Sequence, residues 1–187
     1  MNFEIDEKNV EKSFDIIAEK LFKDFKMVAN NTIYRFLEIE FYYHSDENRD
    51  NQTYQNEKQK TNGKWFFHYS GIDITIGSDN SHGRILIRSI GKLDSNGQIS
   101  EYICGPLKLK DELLNNYNSV DTNSKFLCLE NVPNIFIYDR IKDYKKTVRI
   151  GIDKKKDNFG KEYRHVLFAD KFPKTYRPKI QTDKDNK

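Results

Sequence analysis

Between Tyr34 and Tyr43 the chain reads YRFLEIEFYY, a segment that few local conformations accommodate. Its aromatic and branched side chains suit a pleated strand. With a period of two, Leu37, Ile39, Phe41 and Tyr43 share one face, and Tyr34, Phe36, Glu38, Glu40 and Tyr42 share the other. A chain built on this segment is a sheet protein, and one strand face sets two carboxylates among aromatic rings. Carboxylates in such a setting need partners or have a task.

Three further strands follow, at residues 64–69 (KWFFHY), 72–76 (IDITI) and 84–90 (RILIRSI), separated by Ser70-Gly71 and by the 77–83 turn. In IDITI the isoleucines share a face and leave Asp73 and Thr75 opposite. In RILIRSI, Arg88 shares its face with Leu86 and Ile90. A guanidinium among branched aliphatics needs carboxylate or carbonyl partners, and Glu38 and Asp73 are the available ones.

Residues 6–26 read as a helix: Val10, Phe14, Ile17, Ala18, Leu21, Phe22 and Phe25 recur at spacings of three and four, with Asp6 or Asn9 as its cap. Cys104-Gly105-Pro106 opens a second helix, whose buried side is expected from Leu107, Leu109, Leu113 and Leu114. Strands are expected at 125–130, 135–138, 147–152 and 164–169. Residues 44–63 show no apolar periodicity, which marks a functional or mobile loop, or simply a solvated one. With no repeat and no internal boundary, the expectation is one α+β domain over residues 1–173. It has a curved, largely antiparallel sheet with flanking helices, and a loose tail over 174–187.

Charge and cysteine content narrow the function classes. The net charge is +3, from 32 basic and 29 acidic side chains, which allows a local basic groove but does not announce one. Cys104 and Cys128 fit neither a paired metal spacing nor a disulfide framework. The charged, amphipathic start is not a secretory signal, and no stretch is as long as a membrane span. A cytoplasmic protein without a membrane partner is expected, and the abundance of Lys, Asn, Ile and Tyr suggests an AT-rich bacterial genome. His68 and His165 read as satisfied strand histidines, His44 and His82 as loop residues. The lysines of 142–146 and 154–156 read as a solvated turn.

Four segments, in order, resemble the alkyladenine (3-methyladenine) DNA glycosylases of base-excision DNA repair. LEIEFYY is similar to the family's catalytic strand, GRILIRSI to a later strand, CGPLKLKDELL to a helix start, and TVRIGIDKKKDNFGKEYRHVLFADKFP to its closing region. The resemblance spans residues 34–173. It implies a hydrolase in which Glu40 is the general base and Arg88 holds the attacking water or the carboxylate. Tyr42 would stack on the target base, and Asp73 would police the purine edge. Cleaving an N-glycosidic bond passes through an oxocarbenium-like sugar, which a carboxylate stabilises while deprotonating water. That chemistry calls for no metal or other cofactor. The target base must leave its stack to be reached.

The sequence departs from the family in two places. Where the family carries a base-stacking His after the catalytic strand, this chain offers Tyr54 or His44. The stretch between Trp65 and Ile72 is short for the family's DNA-wedging hairpin, with Phe66, Phe67 and Tyr69 as substitutes. Three functions therefore follow as expectations: an N-glycosylase on DNA, an N-glycosidase on free nucleosides or nucleotides, and a silent nucleic-acid or protein binding module.

Overall fold

The computed structural model describes residues 2–115, 126–132 and 144–180. The strand expected at 135–138 lies outside the described residues.

The N-terminal segment forms a 3-10 turn at Glu7–Asn9 and helix α1 at Val10–Asp24. Both expected caps are used: the Asp6 side chain accepts from the Lys8 amide, and that of Asn9 accepts from the Lys12 amide. The buried stripe is Val10, Phe14, Ile17, Ala18, Leu21 and Phe22. The helix stops before Phe25, which begins strand β1 (Phe25–Ala29). After a turn at Asn30 and Asn31, both in the left-handed region, the chain returns as β2 (Thr32–His44). The remaining strands are β3 (Asn62–His68), β4 (Gly71–Ile76), β5 (His82–Leu93), β6 (Ile99–Cys104), β7 (Leu127–Asn131), β8 (Tyr144–Thr147) and β9 (Arg164–Leu167). Helix α2 spans Pro106–Asn115.

These strands form one nine-stranded sheet in which the described pairings are antiparallel. Its spine is the long pair β2·β5, in register from Tyr34↔Lys92 to His44↔His82 with irregularities between Phe36 and Ile39. Each spine strand has a divided outer edge. Strand β2 pairs with β1 near its start and with β9 at Glu38–Glu40. Strand β5 pairs with β4 near its start and with β6 near its end. A spine gripped by different strands at its two ends, with irregular register between, curls. The α+β class with a curved antiparallel sheet is therefore what the chain adopts.

Helix α1 and the apolar face of β2 close the main core, where the Phe14 and Phe41 rings stack with centroids 4.5 Å apart. Helix α2 contributes Leu109 and Leu113; Leu107, expected inside, is half exposed, because the helix buries only its 3.6-period stripe. Residues 148–152, expected as strand, run irregularly past the end of β8. The 44–63 segment is anchored, with about half of its residues facing solvent: Asp50 and Gln59 are fully buried, and Asn56 and Gln59 form a capping box over the 3-10 turn Glu57–Lys60. The tail expected to be loose is, over its described residues, laid against the sheet. Pro178 is buried, and Arg164 Nη1 donates to the Lys179 carbonyl at 3.4 Å.

Candidate functional site

The face of β2 that carries Glu38, Glu40 and Tyr42 is sealed from solvent. Both carboxylates are 0% exposed, a position tolerated only with full hydrogen bonding. Glu38 accepts from Arg88 Nε at 3.1 Å, Arg164 Nε at 2.7 Å and Ser89 Oγ at 2.6 Å. Glu40 Oε1 accepts from the Ile150 backbone N–H at 2.8 Å. Its Oε2 accepts from Tyr42 Oη at 2.9 Å and Arg88 Nη1 at 3.3 Å. Three of the segments noted in the sequence, LEIEFYY, GRILIRSI and VRIGI, thus meet at one carboxylate. The fourth adjoins them, since the Gly105 N–H donates to the Arg88 carbonyl at 2.8 Å. The expected partner of Arg88 was Glu38 or Asp73; it takes Glu38 and adds Glu40. Burial opposes the Arg88 charge, but Glu40 and Glu38 outweigh it and raise the guanidinium's pKa above its usual value.

Asp73 belongs to a neighbouring arrangement. One of its oxygens faces His68 Nε2 at 3.0 Å and the other accepts from Arg84 Nη1 at 3.1 Å. The His68 Nδ1 lies 3.0 Å from Ser70 Oγ, so this histidine is satisfied at both nitrogens. The Arg84 guanidinium lies over the Tyr42 ring at 3.8 Å and over the Tyr54 ring at 4.2 Å. The Arg149 guanidinium lies over Tyr42 at 4.5 Å and over Tyr163 at 5.3 Å. Tyr54, Arg84, Tyr42, Arg149 and Tyr163 so form an alternating succession of rings and cations from the surface inward.

That succession corrects one expectation. Tyr42 was expected to stack on a base, yet it is 5% exposed with two guanidinium groups over its ring. Burial first, then the Glu40 charge, hold its phenol pKa above the ordinary value, so it serves Glu40 as a hydrogen-bond donor. Tyr54 is 55% exposed and keeps ring surface at the outer end of the succession. His44 accepts from the Asp50 backbone N–H at 3.2 Å and shapes the turn after β2. Tyr69, at the β3–β4 turn, is 92% exposed, whereas Phe66 is buried.

Beside Glu40 lies a cleft of about 510 Å³ lined by Arg88, Val148, Arg149, Ile150, Gly151, Arg164 and residues 176–179. Two of the three Glu40 donors, Arg88 and Ile150, belong to this lining, so the carboxylate lies directly behind the cleft wall. Arg149 is fixed by Asp50, with Nη1 to Oδ2 at 2.7 Å and Nη2 to Oδ1 at 3.2 Å, and by the Phe41 carbonyl at 3.0 Å. Tyr176 packs beside Arg88, and burial first, then Glu38, raise its phenol pKa. Among the described residues no group of three or more His, Cys, Asp or Glu side chains could hold a metal ion. No described helix is long and apolar enough to cross a membrane.

The sequence reading missed Arg84, Arg149, Arg164 and Asp50. A signal existed for Arg84: counting back from Arg88 in steps of two returns to it on the same strand face. Arg164 sits directly across from Glu40 in the β2·β9 register, a pairing visible only once that register is known.

No protein-family model matches the chain. The chain is similar to an uncharacterized protein of Acanthamoeba polyphaga mimivirus, 28% identical over 131 residues, which cover 57% of this chain and 59% of that protein. The match thus spans under two thirds of either partner.

Proposed function

We propose that this protein is an N-glycosidase that releases a nucleobase by hydrolysis, with Glu40 activating the water. The observation that carries the reading is the meeting of Glu40, Arg88 and the Ile150 amide at the cleft wall. Those three groups come from three of the segments that resemble the alkyladenine DNA glycosylases, and they meet without being neighbours in sequence. A carboxylate offers about four acceptor positions, and Glu40 uses three of them. The fourth is closed off while Glu40 is fully buried, and a water from the cleft beside Arg88 reaches it when the wall formed by Arg88 and Ile150 shifts. A carboxylate so held can take a proton from that water and face the positive charge that develops on the sugar.

A second reading, a binding module on the same architecture, draws on Tyr42. Its ring has no open face for a base, and Glu40 has no exposed surface. Chromatographic assay of base release from DNA, RNA and a nucleotide panel separates the two. Hydrolysis is expected, falling by about 10²–10⁴-fold in Glu40→Gln, the scale of a lost general base. Absence of release from every substrate, with a folded wild-type protein, favours the binding module.

A further inference from the structure

The charges around the cleft do not cancel. Among the described residues, its lining includes Arg88, Arg149, Arg164, Arg177 and Lys179 and no carboxylate residue. Behind the wall, Glu38 and Glu40 compensate Arg88 and Arg164, and Asp50 compensates Arg149. Three cations thus meet three carboxylates. That leaves Arg177 and Lys179, both exposed, with no carboxylate in ion-pair contact among the described residues. Among the described residues, the Arg177 side chain donates to the Asp170 backbone carbonyl, at 3.1 Å. Arg149 adds a buried donor, because its Nε–H has no partner among the described residues although its other nitrogens are bonded.

We propose that the cleft holds the phosphate of a phosphate monoester, so that the substrate is a small phosphorylated nucleoside and not the diester backbone of a nucleic acid. A monoester carries about −1.5 to −2 at neutral pH, which matches the two uncompensated cations. A diester carries a single charge per phosphate and repeats along a strand. Guanidinium groups suit phosphate because their fork matches its oxygens. The volume of about 510 Å³ lies in the range of small-molecule clefts and is closed on one side by residues 176–179. The assignment rests on the reading of this cleft as the place where Glu40 acts.

The test is isothermal titration of the full chain with inorganic phosphate, nucleoside 5′-monophosphates, the matching nucleosides and a single-stranded oligonucleotide without terminal phosphate. The Arg177→Ala/Lys179→Ala double variant, changed only at exposed positions, is the partner sample. Phosphate and monophosphates are expected to bind, with nucleosides and the double variant each weaker by about tenfold or more, as for losing charged hydrogen bonds. Unchanged affinity in the double variant, or nucleosides binding as tightly as monophosphates, overturns the proposal. Preference for the oligonucleotide also overturns it and assigns the cleft to a diester backbone. Binding is read without turnover, so intact phosphate binding with no base release fails the hydrolase reading alone. Base release without phosphate selectivity fails the monoester assignment alone.

Discussion

Glu40 and Arg88 were legible in the sequence because each interrupts an apolar strand, and a charge placed there must be answered. Of their answering groups, Glu38 was named for Arg88, but the Ile150 amide was not legible, nor were Arg164, which completes Glu38, and the nearby Arg149–Asp50 pair, all ordinary in local context. His165 shows the same limit. It reads as a satisfied strand histidine, and its Nε2 does pair with Asp15 Oδ1 at 3.0 Å, but its buried Nδ1 has no partner among the described residues. Burial, partly countered by Asp15, lowers its pKa below 6.5. The folded state therefore binds fewer protons than the unfolded chain just below pH 6.5. Stability is expected to fall as pH drops through that region, by up to about 1.4 kcal/mol per unit, until the folded-state value is reached. Denaturant midpoints measured from pH 7.5 to 5 check this, and His165→Gln is expected to flatten the slope; an unchanged slope contradicts the assignment.

Elements with clean periodicity were read correctly, and those whose form depends on neighbours were not. The apolar stripe of α1 runs on into Phe25, so β1 reads as the end of the helix; pairing with β2 and β7 decides otherwise. Strand β6 alternates too weakly to announce itself and exists by pairing with β5. Residues 147–152 have strand composition, but only Thr147 joins a ladder; beyond it Arg149 turns in to Asp50 and the Ile150 amide to Glu40. Where the 44–63 segment packs on the sheet, Gly77 is decisive: a Cβ there would lie 1.9 Å from the Gln59 carbonyl oxygen and 2.6 Å from that of Ser81. Gly77→Ala is expected to cost about 1–3 kcal/mol by overpacking, read as a lower denaturation midpoint. The same change is expected to raise proteolytic cleavage within 44–63, because the clash is with that segment's backbone.

Across the molecule, a small net charge conceals a concentration of ions in one buried layer. Glu38 ties β2 to β5 through Arg88 and to β9 through Arg164, so it acts on the whole sheet. Removing one member of a buried set leaves its partners uncompensated, at about 3–5 kcal/mol. Glu38→Gln is therefore expected to lower Tm by on the order of 10 °C for a chain of this size, a shift measurable by calorimetry. A variant that melts with the wild type contradicts the network as drawn. The link from Glu38 to Arg164 spans 126 residues, and that from Glu40 to Ile150 spans 110. On a ribosome, at roughly 5–20 residues per second, β2 emerges on the order of ten seconds before the segments that complete its hydrogen bonding. Until they arrive, Arg88 on β5 can answer both carboxylates, but Glu38 lacks Arg164 and Glu40 lacks the Ile150 amide. The sheet is thus a structure finished after synthesis of its C-terminal third, and a chain arrested before residue 150 is expected to remain in the care of chaperones.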